Sequence, residues 1–593
     1  MTDPVLGVAA VALVCLATAV IGALGVTVSR TTSDFYVASR AVSPRANASA
    51  IGGEYLSAAS FLGVAGLVLT GGVDMLWFAV GYTAGYLVLL ALVAAPLRRS
   101  GAYTLPDFAQ SRLGSTRVRY ASALLVVGIG WLYLLPQMQG AGVALRAVTG
   151  SPVALGAALV AAVVVLNVVA GGMRSITLVQ AFQYWLKVTA IATPVLFLVL
   201  AWHADGAPDP SAAGPAVARE STTTVLPAQV RVRAEVPAVL VVDGTVDGRT
   251  VSGPLALDAG DDALLGAGTT VSMAAGTPVP HAEPVEPSDG RAWAAPLSGA
   301  GGTDHPLYST YSLVLALLFG TMGLPHVLVR FYTNPDGRAA RRTTAIVIGL
   351  LGLFYLWPPV YGALGRVYAP DLLLTGRADT VVLELPARML PSPWGELLSA
   401  LLVAGAFAAF LSTSSGLVVS VAGVISRDLL GGLATRRDWR PVALFRLGTV
   451  VAVVVPLLLT LVGASSASLA GTVGLAFAVA ASTFCPLLLL GIWWRGLTPA
   501  GTLWGLAVGG ATSSAAVLAT LLSLPAPPWL GVLLEQPAAW TMPLAFTTMV
   551  VVSRLTRASV PDSVGRSMVR MHTPEAVEVD RRLRGRRPAD PGR

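Results

Sequence analysis

Residues 52–63 read GGEYLSAASFLG, inside a run (47–69) otherwise apolar enough to cross a bilayer. A carboxylate, a tyrosine and two serines gain nothing from hydrocarbon, and a charge at the centre of a membrane helix costs on the order of 3 kcal/mol. Paired glycines weaken a helix and admit close backbone approach. The stretch therefore reads as an interrupted membrane helix whose polar groups are put to use.

The whole chain has 593 residues, 54% hydrophobic and only 12% charged, with mean hydropathy +0.71. That charge fraction is roughly half of what a soluble protein carries. Repeated apolar runs of about 20 residues make the fold class all-α and polytopic. Thirteen spans are expected near 4–29, 47–70, 73–97, 119–147, 152–171, 174–202, 306–331, 342–365, 393–425, 440–463, 467–494, 499–522 and 538–552. The first lacks the basic start and cleavage region of a secretory signal and reads as a retained helix. Cys15 and Cys485 both lie in apolar runs, which supports neither a disulfide framework nor a cysteine metal site. The net charge of +8 averages very different regions and does not point to nucleic acid.

An odd number of spans puts the termini on opposite sides. With the N-terminus outside, most loop arginines fall in the cytoplasm, among them Arg98, Arg99, Arg341, Arg342, Arg436 and Arg437. The basic tail, including Arg581, Arg582, Arg584, Arg586 and Arg587, falls there too and suits anionic headgroups. The expected location is a bacterial cell membrane, N-terminus out and C-terminus in. The acid-rich loop 203–305 is then extracytoplasmic. Within it, QVRVRAEVPAVLVVDGTVDGRTV alternates polar with β-branched residues and sets DG pairs at turn positions. It reads either as a small β-rich insert or as a flexible acidic spacer. The expected organisation is a first helix and first transporter half (1–202), this insert (203–305), a second half (306–494), additional helices (495–552) and a basic tail (553–593).

Leaving out the first span, the next ten divide into two sets of five. The leader of the second set holds FGTMGLPH (319–326), where Gly320, Gly323 and Pro325 weaken the helix as the glycine pair does in the first leader. Carriers built from two inverted halves bind solute and ion at such breaks. The structural alternative is that small residues merely help membrane helices to pack.

Hydroxyls cluster again at AAFLSTSSG (408–416), in the middle of the ninth span. A hard monovalent cation wants about five or six oxygens, which carbonyls and hydroxyls supply. Ser412 and Thr413 diverge by about 100° around a helix, yet both can flank an ion seated against the Ala409 carbonyl. The alternative is back-bonding of each hydroxyl to its own helix.

Five ordered stretches, GGEYLSAASFLGVAG, PDFAQSRLG, GGMRSITLVQAFQYW, GLPHVLVRFYT and AAFLSTSSGLVVSVAGVISRDL, resemble the sodium:solute symporter family, closest to its cation/acetate and monocarboxylate branch. The resemblance covers about residues 5–202 and 306–525. It implies a LeuT-type 5+5 inverted-repeat core with extra N- and C-terminal helices. It also implies a sodium site formed by the carbonyls of Gly53, Leu56 and Ala409 with the hydroxyls of Ser412 and Thr413. Proline- and sugar-carrying members have an aspartate near the position of Gln180, so its absence favours one cation per cycle.

Lys187, the sole lysine, lies near the middle of its span and shares a helix face with Gln180, Gln183 and Tyr184. It pairs with Glu54, or holds an anionic substrate, or couples transport to protonation in place of sodium. Tyr55, Ser57 and Ser60 at the break and Gln137 and Gln139 on the fourth span are the substrate candidates. His326 and Arg330 read as gating or anchoring residues. No HExxH, nucleophile elbow, phosphate loop or Cys/His cluster points to an enzyme. The expected function is sodium-driven import of a small monocarboxylate such as acetate, propionate or pyruvate. Proton coupling through Lys187 and Glu54, or a transporter-derived sensor, is the alternative. The implied partners are the organic anion, Na⁺ and the bilayer, with no cofactor beyond the ion and no obligatory protein partner.

Overall fold

A computed structural model describes residues 3–26, 42–212, 214–226, 229–282, 289–298, 305–431, 441–462, 468–522 and 524–574. Arg436, Arg437 and the tail arginines from Arg581 onward lie outside the described residues.

Helix α1 (Pro4–Val26) precedes α2 (Pro44–Tyr55), which Ser43 caps by accepting from the Ala46 amide while Pro44 fills the first turn. α2 stops at Tyr55. Leu56 stands at φ −74°, ψ 89°, and the chain re-enters helix through a π turn (Ala59–Gly63) that leads into α3 (Val64–Gly71). The interruption therefore falls three residues beyond the glycine pair that was expected to make it. Gly52 and Gly53 are helical, and what they provide is room. A Cβ on Gly53 would run into the Gln180 carbonyl, and one on Gly52 would come within 2.7 Å of the Tyr184 ring.

The first half continues through α4 (Leu76–Val88), α5 (Ala94–Ser100), α6 (Leu105–Leu113), α7 (Thr116–Thr149) and α8 (Val153–Ala204). A straight helix of 52 residues would be about 78 Å long, against a hydrocarbon core of about 30 Å. Gly172, at φ 58°, ψ −164°, breaks α8 into two runs. Among the described residues, eleven runs are long and apolar enough to cross a membrane. The expected spans 152–171 and 174–202 share one of them. The spans 47–70 and 73–97 largely share another, Ala59–Ser100, in which Gly72 adopts φ 67°.

After α8 comes a sheet of seven antiparallel strands: β1 (Thr222–Val225), β2 (Val230–Arg233), β3 (Ala238–Val246), β4 (Arg249–Leu257), β5 (Asp262–Leu265), β6 (Thr270–Met273) and β7 (His281–Ala282). Their order is β1-β6-β3-β5-β2-β7, with β4 on β3. The β3–β4 hairpin turns at Asp247-Gly248, both at positive φ, as a two-residue turn between right-twisted strands requires. Alternate residues such as Leu240, Val242, Leu265 and Val271 form the core, which Leu374 enters from outside the insert. A short helix, α9 (Gly290–Ala294), follows.

The second half opens with α10 (Pro306–Gly320), a 3₁₀ turn (Thr321–Gly323) and α11 (Pro325–Phe331), so its leader is broken where Gly320, Gly323 and Pro325 indicated. Then come α12 (Gly337–Tyr355), α13 (Pro358–Tyr368), α14 (Asp371–Leu374), α15 (Val381–Met389), α16 (Trp394–Val424), α17 (Pro441–Leu461), α18 (Leu469–Trp493), α19 (Pro499–Leu521), α20 (Pro528–Glu535), α21 (Ala538–Leu555) and α22 (Val564–His572). From Leu402 to Val424 every residue of α16 is buried, as befits a helix apolar all round at the centre of a bundle.

Adding one methyl group separates packing from conformation. Gly53→Ala should lower thermal stability in detergent by the equivalent of about 1–3 kcal/mol, because its new neighbour is backbone that cannot rotate away. Gly128→Ala, in open space on α7, should be neutral or stabilising by up to about 1 kcal/mol. A differential scanning measurement that ranked the two equally would refute this use of the glycine.

Candidate cation and substrate site

A helix end leaves carbonyls without amide partners. At the end of α2 these include Gly53 and Leu56, and they turn toward α8 and α16. Lys187, fully buried on α8, donates to the carbonyl oxygens of Gly53 and, at 2.6 Å, Leu56, and to Ser412 Oγ at 2.8 Å. An ammonium has three N–H donors, and here each has an acceptor. The Ser412 hydroxyl in turn donates to Gly53 O (2.6 Å), with Ala409 O at 3.1 Å. Thr413 Oγ1 donates to Glu54 O at 2.6 Å, away from this cluster. Thus three of the five expected sodium ligands, Gly53, Leu56 and Ser412, meet at one point, and Lys187 Nζ occupies it. Sodium would be a co-substrate of such a carrier. With Lys187 Nζ in place, these three oxygens already have a hydrogen-bond partner.

Glu54 does not pair with Lys187, which corrects that expectation. Its carboxylate accepts from Arg330 Nε at 2.6 Å, both side chains being at most 2% exposed. Arg330 on α11 reaches the carboxylate within ion-pair distance and takes the place expected for Lys187. Arg330 also donates to Thr177 Oγ1 at 2.9 Å and to Gln180 Oε1. Gln180 Nε2 donates to Ser412 O at 2.8 Å, so Gln180 joins the arginine to the lysine cluster. Gly416 faces the carboxylate, where a Cβ would collide with Glu54 Oε1.

The substrate candidates divide. Tyr55 OH donates to Tyr82 O (3.1 Å) and lies 3.0 Å from Thr321 Oγ1, joining the two broken leaders. Ser60 Oγ lies 2.8 Å from Tyr355 OH. Ser57 is buried in the gap itself. Gln137 accepts from the Ala58 amide at 3.0 Å and so caps the helix that resumes after the break. Gln139, two positions further along α7, is only half-buried and points away from Gln137's face.

The sequence model of the sodium:solute symporter family matches residues 35–209 and 296–509. The chain belongs to the sodium:solute symporter family. It is 29% identical over 488 residues to an uncharacterized symporter, YwcA, of Bacillus subtilis (81% of this chain, 80% of that protein). It is 29% identical over 538 residues to a monocarboxylic acid transporter of Corynebacterium glutamicum (87% and 85%). Among solved structures, a Na⁺-coupled sialic acid symporter in an outward-open state superposes with TM-score 0.58 at 12% identity, covering 93% of this chain and 98% of the other. That likeness shows a helical transporter fold.

Around the breaks, this sodium:solute symporter family member gathers rings that the sequence reading passed over. Tyr82 and Tyr86, one turn apart on α4, flank Tyr55 with ring centroids at 6.1 and 4.9 Å. Tyr133 of α7 stacks on His326 at 5.1 Å. Among the described residues, Tyr82 OH, Tyr86 OH and both ring nitrogens of His326 are buried without a hydrogen-bond partner. The i, i+4 tyrosines in an apolar span were the available signal. Arg330 was also legible in principle, since an arginine at that depth demands an acid and Glu54 was already in hand.

Removing one member of a buried ion pair typically costs about 3–5 kcal/mol, whereas removing both costs far less. Arg330→Met should therefore lower the melting temperature in detergent sharply, and Glu54→Gln with Arg330→Met should recover a substantial part. Strictly additive losses in that cycle would contradict the pairing.

Proposed function

We propose that this chain is a secondary active symporter that imports a small monocarboxylate by alternating access, driven by a proton carried on Lys187 instead of a sodium ion. The observation that carries this reading is the Lys187 ammonium bound to Gly53 O, Leu56 O and Ser412 Oγ. In this proposal the two broken leaders head the halves of a 5+5 inverted repeat within 47–494. The insert faces outside and the tail faces the cytoplasm, in a bacterial cell membrane.

The coupling follows from donor counting. A protonated Lys187 satisfies three acceptors and ties α2 to α8 and α16. A neutral amine has two donors and turns a lone pair toward an oxygen, which weakens the tie. The protonated form thus favours the arrangement with α2 docked, and a ligand that also prefers that arrangement is thermodynamically linked to the proton. Buried phenols at Tyr82 and Tyr86 supply O–H donors for a carboxylate, while Phe477 and the neighbouring tyrosines leave apolar walls suited to a short acyl chain. The relative in Corynebacterium glutamicum named a monocarboxylic acid transporter supports the same substrate class.

In proteoliposomes, an imposed proton gradient should drive accumulation of labelled acetate, propionate or pyruvate in sodium-free buffer. Lys187→Met should cut that accumulation at least about tenfold, the value of one charged hydrogen-bond cluster of about 1.4 kcal/mol or more. Uptake that requires Na⁺ and ignores a protonophore would restore sodium as the driver. Tyr86→Phe should raise KM by about tenfold with little change in folding, as expected for one lost hydrogen bond to a charged ligand. An unchanged KM removes Tyr86 from the substrate site.

A further inference from the structure

The family match skips residues 210–295, so the inserted domain lies outside the part matched by the family model. Yet the insert does not hang free. Trp293, on α9 and 5% exposed, donates its indole N–H to Val68 O at 2.8 Å, with Leu69 O at 3.2 Å. These carbonyls lie at the end of α3, the helix whose other end is the break beside Lys187. A Cβ on Gly72, which sits at φ 67°, would run into the Trp293 carbonyl. Four residues on, the Leu297 amide donates to Asp74 Oδ1 at 2.6 Å.

The same tryptophan is held from its other side. The Arg366 guanidinium of α13 stands 5.3 Å from the Trp293 ring, within cation–π range. Arg366 Nη2 lies 3.4 Å from Gly214 O, the carbonyl that also accepts from the Gly290 amide at 2.9 Å. α13 lies against α3, since a Cβ on Gly362 would come within 2.6 Å of Ala65 O and of Val68 Cβ. Leu374, on α14 just beyond α13, is buried in the strand core. The insert therefore touches both α3 and α13, which pack against each other.

We propose that the inserted domain is a regulator of the outer gate, a clasp that holds α3 against α13 and must release for solute to reach the break. About 14 residues of helix, roughly 20 Å, separate the clasp at Gly72 from the break at Ala58. α3 is thus a lever with the coupling cluster at one end and the insert at the other. The clasp biases the carrier toward its outward-closed state, and the fraction of open carriers scales the apparent affinity for external solute. This inference rests on alternating access within the family and on neither the proton nor the substrate assigned above.

The test reads gate opening directly. In full-length protein in liposomes, the Ala65→Cys thiol is placed on the buried face of α3, and its reaction with a membrane-impermeant maleimide is timed from the insert side. The native cysteines, Cys15 and Cys485, give the background. Adding Trp293→Phe, which keeps an aromatic face for Arg366 but removes the indole N–H, should speed labelling at least threefold. Unchanged or slower labelling overturns the proposal. In a second arm, Asp74→Cys with Leu297→Cys is oxidised to cross-link the clasp. Labelling of the Ala65→Cys thiol should then fall at least tenfold and return on reduction. Labelling at the uncross-linked rate would show that the clasp rides with α3 and gates nothing. Neither readout needs a transported solute, so failure here is separable from failure of the functional assignment.

Discussion

A buried lysine whose Nζ meets three oxygen acceptors is the contact on which the rest of this structure depends. Lys187 lies in a region where an unpaired charge is costly, and the chain meets that cost with hydrogen-bond acceptors. It ends one helix early, so that Gly53 O and Leu56 O have no amide partners, and it sets Ser412 opposite them. Each side needs the other: without the lysine the Leu56 carbonyl would lose its donor and Gly53 O would keep only the Ser412 hydroxyl, and the lysine would lose two of its three acceptors without the break.

The charges follow from that economy. Glu54 sits one residue from the lysine's first acceptor, yet its ion-pair partner is Arg330. The two broken leaders are thereby joined by an ion pair at Glu54–Arg330 and by hydroxyls at Tyr55 and Thr321. Gln180 closes the circuit by accepting from Arg330 and donating to the Ser412 carbonyl. The same few side chains thus hold both leaders. At its far end from the break, α3 meets the Trp293 indole of the insert.

Much of this was legible in advance, and the errors are instructive. Polar residues stranded in apolar runs marked the two leaders, because hydrocarbon tolerates them only when they are used. Gly320, Gly323 and Pro325 broke their helix in place, whereas Gly52 and Gly53 did not. A glycine pair signals either freedom or closeness, and only the neighbouring Gln180 carbonyl and Tyr184 ring show that closeness is what α2 needed. The Glu54–Lys187 pairing failed for a related reason. Opposite charges in neighbouring spans attract attention, but which partner each one meets depends on side-chain direction at a helix end.

The sequence by itself determined that the chain lives in a membrane, where its helices run, which of them are broken and which polar residues are too costly to be idle. Those properties follow from hydropathy, period and the cost of burying charge, all of which are local. The tertiary structure alone decided what each polar residue touches. It put the Lys187 amino group where three expected sodium ligands converge, handed Glu54 to an arginine 276 residues away, and laid Trp293 across the end of α3. Hydrogen bonds form between groups about 3 Å apart in space, and separation along the chain does not reveal that distance.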